Sequence, residues 1–347
     1  MKVLGVAITP RLALIWAVVI AGYLILPQML KDPYLLHIIT LGMLFAIVAS
    51  NWDLTLGYAG VFNFAHIAFF GIGAYTSGIL AVRFGVSPWI GMIAGVLVAV
   101  LVAAIVSIPA IRLRGIYVAL LTFAFTQLML ALIVSQTGFT GGISGLVGVP
   151  GLSIGDFQFR ENPIAYFYFI GALLLASTIF LRRVVTSDFG LSLVALRDFE
   201  EYAVSRGVPL ARQRFLAFVY SAIFTGAAGA VYVHYLLVAS PEVFGFSLAT
   251  LFLSIILVGG AATIYGPVLV GVVLTYVSEM MAPLGPRRFM ILALLIVVTM
   301  WFVPRGVWGL LTRGWGRPQK VSTLEGQEDD YLDDPYAAGE EPGPRAG

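Results

Sequence analysis

From Leu248 to Ser278 the chain runs for 31 residues without one charged side chain. As a single helix that run would be about 46 Å long at 1.5 Å per residue, too long for one modestly tilted crossing of a bilayer. Other uncharged apolar runs recur at 12 to 30, 34 to 52, 56 to 82, 89 to 109, 115 to 135, 162 to 181, 215 to 238 and 289 to 304. Each is close to the roughly 20 residues that cross about 30 Å of hydrocarbon as a helix. Only 11% of the 347 residues are charged and 60% are hydrophobic, whereas a soluble domain carries about a quarter charged residues. A water-facing surface cannot be covered with so little charge. Lipid is therefore the solvent for most of this chain, and an all-α polytopic membrane protein is expected.

Gly259-Gly260 and Gly266-Pro267 fall in the middle of the long run. Glycine weakens a helix and proline removes a backbone donor, so the stretch 248 to 281 reads as two shorter helices around a break near Ala262 to Gly266. That makes about ten spans, with eight to ten as the range. Charge placement tests the count, because Lys and Arg concentrate in cytoplasmic loops. With both termini cytoplasmic, 15 of the 20 Lys and Arg fall inside; Lys31, Arg83, Arg160, Arg287 and Arg288 fall outside. No small-residue cleavage pattern follows the first apolar run, so it reads as the first membrane helix. The membrane-embedded body is expected to cover residues 1–317. Residues 318–347, with eight acidic and two basic side chains among many Gly and Pro, read as a disordered acidic cytoplasmic tail.

Several chemistries are excluded or unsupported. There is no cysteine, hence no disulfide, thiolate metal site or cysteine nucleophile. The three lysines, Lys2, Lys31 and Lys320, lie outside any GxxxxGK[ST] loop, so the chain has no P-loop of its own. His37, His66 and His234 are far apart and none lies in HExxH, so neither a metal nor a catalytic residue is assigned. Asp53 and Glu279 read as lying near span ends. An ion-coupled transporter usually needs a titratable or coordinating group in mid-membrane, and few are offered here. Energy for uphill transport would then come from another subunit. No nucleic-acid partner is expected.

Between the sixth and seventh spans lies a 33-residue cytoplasmic loop, Arg182 to Arg214, RRVVTSDFGLSLVALRDFEEYAVSRGVPLARQR. Ser187 or Asp188 can cap a helix, Leu191, Val194, Ala195 and Phe199 recur at helical spacing, and Gly207-Val208-Pro209 ends the pattern. The polar side would carry Arg197, Asp198, Glu200, Glu201 and Arg206. On composition alone this also fits an amphipathic helix lying in the membrane interface.

The loop resembles the excursion by which permease subunits of ATP-binding cassette importers dock on their ATPases. The resemblance extends over roughly residues 50 to 310, through NWDLTLGYAGVFNFAHIAFFGIGAYTS at 51 to 77, LRGIYVALLTFAF at 113 to 125, TGGISGLVGVPG at 140 to 151, GGAATIYGPVLVG at 259 to 271 and VPRGVWGL at 303 to 310. In family order, these blocks are similar to branched-chain amino acid permeases of the LivM type, within the wider branched-chain amino acid and urea permease family. The resemblance implies a multi-pass permease of a prokaryotic inner membrane. Its implied partners are a homologous second permease, two cytoplasmic ATPase subunits holding ATP and Mg, and an external or periplasmic solute-binding protein; no cofactor would be bound by this chain. Docking would fall to Phe189 through Gly207, with Gly207 ending the helix and Arg197, Asp198, Glu201 and Ala203 facing the ATPase cleft. The alternatives are a urea or amide permease of the same architecture and, from another class, an ion-coupled secondary transporter.

An amino acid zwitterion is costly to place in hydrocarbon, so its path must be lined by polar groups or water. The glycine-interrupted segments 54 to 82 and 248 to 281 lie in opposite halves of the chain, and paired broken helices point to transport sites. Gly57, Gly60, Gly259, Gly260, Gly266 and Pro267 mark the expected breaks. Asn63, His66, Ser254 and Thr275, with Thr122, Thr126 and Gln127 from the fifth span, are the path candidates. Each also fits interhelical hydrogen bonding, the commoner use of such a group in a membrane helix. Gly91 and Gly95 form GxxxG, a packing signal. The loop from Gln136 to Glu161, with seven glycines, is expected to be mobile.

Overall fold

A computed structural model of the chain describes residues 32–285, 287–302 and 306–312, with isolated positions at 2–3, 6–7, 23 and 27–29. The apolar run expected as the first span falls almost wholly outside these residues, and so does the acidic stretch 318–347. Helix α1, Pro33–Asp53, starts on Asp32, whose side chain accepts from the Tyr34 N–H at 2.9 Å, with proline at its first position, where a missing donor costs nothing. It continues through a π turn, Leu54–Tyr58, making 26 residues in all. Then come α2 (Ala65–Phe84), α3 (Pro88–Arg112), α4 (Ile116–Ser135), α5 (Pro163–Val185), α6 (Asp188–Asp198), α7 (Glu200–Ser205), α8 (Leu210–Leu236), α9 (Phe246–Gly259), α10 (Tyr265–Met280), α11 (Arg287–Phe302) and α12 (Gly306–Thr312).

Among the described residues six helices, α1 with its π turn, α2, α3, α4, α5 and α8, are long and apolar enough to cross a membrane. The long uncharged run is broken as expected, but its two helices have only 14 and 16 residues and α11 has 16. At 1.5 Å per residue they reach about 21 to 24 Å, short of a full crossing. The reason lies upstream. After α8 the chain turns back as a 3-10 segment, Pro241–Phe244, whose Phe244 ring packs on Gly71 and stacks near Tyr75 partway along α2. Part of the crossing is thus used before α9 begins.

Helices do not associate in lipid to hide apolar surface, since lipid tails are equally apolar; close approach and dispersion hold them. Small residues do this where α2, α3 and α8 meet. Gly73 abuts the Gly226 backbone, Gly229 abuts the Phe70 carbonyl, and a Cβ on Gly95 would sit 2.7 Å from the Gly73 carbonyl oxygen. Gly91 and Gly95 therefore pack helices, with Gly91 lying on Ser77. On the other side α1 packs against α5 and α10, where Gly42 meets Val272, Gly271 meets Ala46 and buried Asn51 donates to Ser177 at 2.7 Å.

The glycine-rich loop 136–161 is folded, contrary to the mobile segment expected. Leu146–Val147 pairs antiparallel with Val238–Ala239, and Ser153–Ile154 with Phe157–Gln158. The Trp89 indole donates to the Ser153 carbonyl at 2.8 Å, and Tyr166 Oη accepts from Leu152 N–H at 3.0 Å while donating to the His234 carbonyl at 2.8 Å. Glycines in the left-handed region, such as Gly145, supply turns that no side-chain pattern announces. The Tyr166→Phe variant orphans a buried N–H, so thermal unfolding in detergent should show a loss of about 1–3 kcal/mol.

Candidate functional site

The first helix break is built on the π turn. Gly57 was expected to interrupt the helix, yet it lies inside the turn that lengthens α1; the chain leaves helical geometry after Ala59, and Gly60 takes φ +66°. A π turn widens the helix by one residue and so redirects the end of α1 without stopping it. Buried Asn63 then closes the loop, its Nδ2 donating to Thr55 Oγ1 at 2.9 Å and to the Val61 carbonyl at 3.0 Å. That carbonyl can only accept, so Asn63 Oδ1 faces His66, 3.0 Å from Nδ1, and Nδ1 carries the proton. The His66 ring lies parallel to Trp52, with centroids 5.6 Å apart and 7° between planes. His66 Nε2 and Trp52 Nε1 are both buried without a hydrogen-bond partner among the described residues.

From α4, Thr122 Oγ1 accepts the Phe64 N–H at 2.9 Å and Thr126 Oγ1 donates to the Phe64 carbonyl at 3.2 Å. The structure thus gathers Asn63, His66, Thr122 and Thr126 around one break, with Gln127 half-buried beside Thr126. Ser254 and Thr275 stand apart. Each is buried and donates to its own helix, to the Thr250 and Gly271 carbonyls, both at 2.7 Å.

The second break runs from Gly260 to Ile264. Gly259 packs on the Gly266-Pro267 backbone, and Gly306 on Gly260. Gly266 and Pro267 fall in the first turn of α10, where proline is tolerated, so the interruption lies just before them. A residue passed over as a span end joins the two breaks. Asp53, 1% exposed, accepts the Ala262 N–H at 3.0 Å and the Thr263 N–H at 3.1 Å. Its one signal in the sequence was isolation, since no other acid occurs between Asp32 and Asp156.

The segment expected to dock is two helices, α6 and α7, hinged at Phe199 (φ −144°). Its apolar stripe is rotated from the expected one. Leu193 and Leu196 are buried, while Leu191, Phe199 and Tyr202 are exposed at 65%, 73% and 62%. Phe189 packs edge-on against Tyr220 of α8, with centroids 5.3 Å apart. Ala203, expected to face outward, is buried instead, because α7 turns that side onto the body. Gly207, at φ +89°, ends α7 with its N–H bonded to Val204 and the next N–H to Ala203, a left-handed helix stop. Glu201 is exposed. Glu200 holds Arg214 at 2.7 Å and Arg114 at 3.3 Å, pinning the segment to α8 and to the α3–α4 turn.

Arg197 reaches the first break from this segment. Its Nη1 donates to the Gly57 carbonyl at 2.7 Å, its aliphatic stem lies on Gly60, and its Nε holds Asp198 at 2.8 Å. Hydrogen bonding from Arg197 keeps the Asp198 carboxyl below the usual carboxylate range, so this pair is lost only as pH falls through that lowered value.

Long apolar helices, two breaks between helices that are joined by one buried acid, and a folded polar excursion reaching the same spot define a multi-pass helical membrane protein. The family model "Branched-chain amino acid transport system / permease component" matches residues 34–316. The chain belongs to that family. It is 26% identical over 292 residues to the high-affinity branched-chain amino acid transport system permease protein LivM of Salmonella typhimurium, and to the same degree to that of Escherichia coli. Each alignment covers 78% of this chain and 69% of the relative. No solved structure matches the chain significantly.

Proposed function

We propose that the chain is the transmembrane permease subunit of an ATP-binding cassette importer, moving branched-chain amino acids by alternating access across a prokaryotic inner membrane. The observation that carries this reading is the seat of Arg197. In a family of permeases, a polar excursion with exposed Leu191, Phe199, Tyr202 and Glu201 inserts its arginine against the carbonyl of Gly57, beside the contact between the two helix breaks. ATPase subunits gripping the exposed side would pull directly on the helix ends that must move. The relatives' names support the solute, and the absence of a P-loop lysine supports ATP and Mg residing on separate subunits. A homologous second permease and an external solute-binding protein complete the assembly, with both termini of this chain cytoplasmic and residues 1–317 forming the permease.

Asn63, His66, Thr122 and Thr126 are the residues proposed to border the path. Their hydroxyl and amide bonds are largely committed to backbone, so solute is held weakly and selectivity rests with the binding protein. The test is uptake by proteoliposomes containing the permease pair and ATPases, supplied with the matched binding protein. Leucine accumulation should require internal ATP, survive ionophores, and be competed by isoleucine and valine but not by urea. Accumulation by this chain alone under an ion gradient would overturn the reading.

A further inference from the structure

Asp53 is a buried carboxylate for which the reading above has no use. A charge in such a place is expensive unless its partners are fixed. Its partners are two successive backbone amides of the second break, and they converge because Ala262 adopts φ +58°, a left-handed state unfavourable for alanine. Such a turn aims consecutive N–H groups at one anion. The same crossing is squeezed from below. A Cβ on Gly57 would meet both the Asp53 carboxylate and the Ala262 nitrogen, so the Gly57 backbone lies directly against the break. On its other side, the Gly57 carbonyl receives Arg197. Within five residues of α1 and its π turn, one carboxylate holds the α9–α10 crossing and one carbonyl holds the docking segment.

We propose that Asp53 is a positioning residue that clasps the 260–264 crossing to the end of α1 on which Arg197 is seated, so that the docking segment and the α9–α10 hairpin shift as one body. The proposal rests on the docking reading above. It explains why an isolated acid is tolerated at the close of an apolar helix, and why glycine stands at position 57: a side chain there would wedge the clasp open.

The chain has no cysteine, so spin labels at exposed Val204 of α7, outside the residues assigned to the ATPase face, and at Val273 of α10 report on the two parts within the reconstituted transporter complex. With Asp53 present, the distance between labels should be narrow and unchanged between nucleotide-free and ATP-trapped states. In Asp53→Ala it should broaden and differ between those states, and solute moved per ATP should fall on the order of tenfold. Gly57→Ala keeps the carboxylate but drives a methyl into the Ala262 amide, and should reproduce both changes. Asp53→Asn retains one acceptor and carries the test if the alanine variant fails to assemble; partial broadening is expected. Wild-type distances and stoichiometry in the assembled Asp53 variants would overturn the clasp. Uncoupling by docking-surface variants alongside wild-type Asp53 behaviour would defeat the clasp and spare the docking reading. Normal coupling in docking variants alongside Asp53-dependent distances would do the reverse.

Discussion

Gly73→Leu should unfold the three-helix contact of α2, α3 and α8 and cost at least about 3 kcal/mol, the upper range for forcing atoms into a packed interior. Gly73 touches the Gly226 backbone, and the Gly73 carbonyl in turn faces Gly95. Neither neighbour is a flexible side chain that can swing away, so two helix backbones would have to part. Parting them also loosens Gly229 from the Phe70 carbonyl, and lipid offers no compensating hydrophobic gain. Gly138→Ala is the control: nothing lies within 4 Å of the added methyl, and its effect should stay within about 0.5 kcal/mol. Unfolding in bicelles, followed by a conformational probe, reads both. Equal stability of the two variants would refute backbone contact as the basis of this packing.

Arg197→Glu should give the largest functional loss, reducing uptake on the order of a hundredfold while ATP hydrolysis by the complex continues. The change removes the donor to the Gly57 carbonyl, puts a carboxylate against that carbonyl oxygen, and sets it beside Asp198. Arg197→Lys keeps the charge but replaces the planar fork with a point charge, so an intermediate loss is expected. Gly207→Leu approaches the same end differently, because leucine at φ +89° strains the stop of α7 and tilts the helix that carries Glu201. Gene replacement with growth on leucine as sole supply, paired with hydrolysis measured in membranes, separates uncoupling from failure to insert. Normal uptake in both variants would remove the docking assignment.

The six long apolar helices among the described residues were legible in the sequence because lipid imposes a rule that is local: about 20 residues without charge. So was the break in 248–281, since Gly-Gly and Gly-Pro act on their own backbone. The contacts that make the site were not local. Asp53 meets Ala262 across 209 positions of sequence, and what it recognises is a backbone conformation, which leaves no mark on residue type. Gly57 misled because glycine reads as a stop, whereas here its value lies in allowing another chain segment to touch it. The docking stripe was misjudged because Leu191 and Phe199 have the right spacing for burial and yet face outward. A surface meant for another protein has the same composition as one meant for a core. Asn63, His66, Thr122 and Thr126 were chosen from separate segments, with Gln127, Ser254 and Thr275, because polar side chains are scarce in these helices; that the first four surround one break while Ser254 and Thr275 bond within their own helices left no mark in the sequence.

The short strand pairing of Leu146–Val147 with Val238–Ala239 sews the loop after α4 to the exit of α8, and Tyr166 stitches the same corner through Leu152 and His234. Those elements cannot be drawn apart without breaking main-chain bonds at buried Leu146 and Ala239. Under the transport reading proposed above, an opening on that face would run along a different seam, with this corner riding along intact.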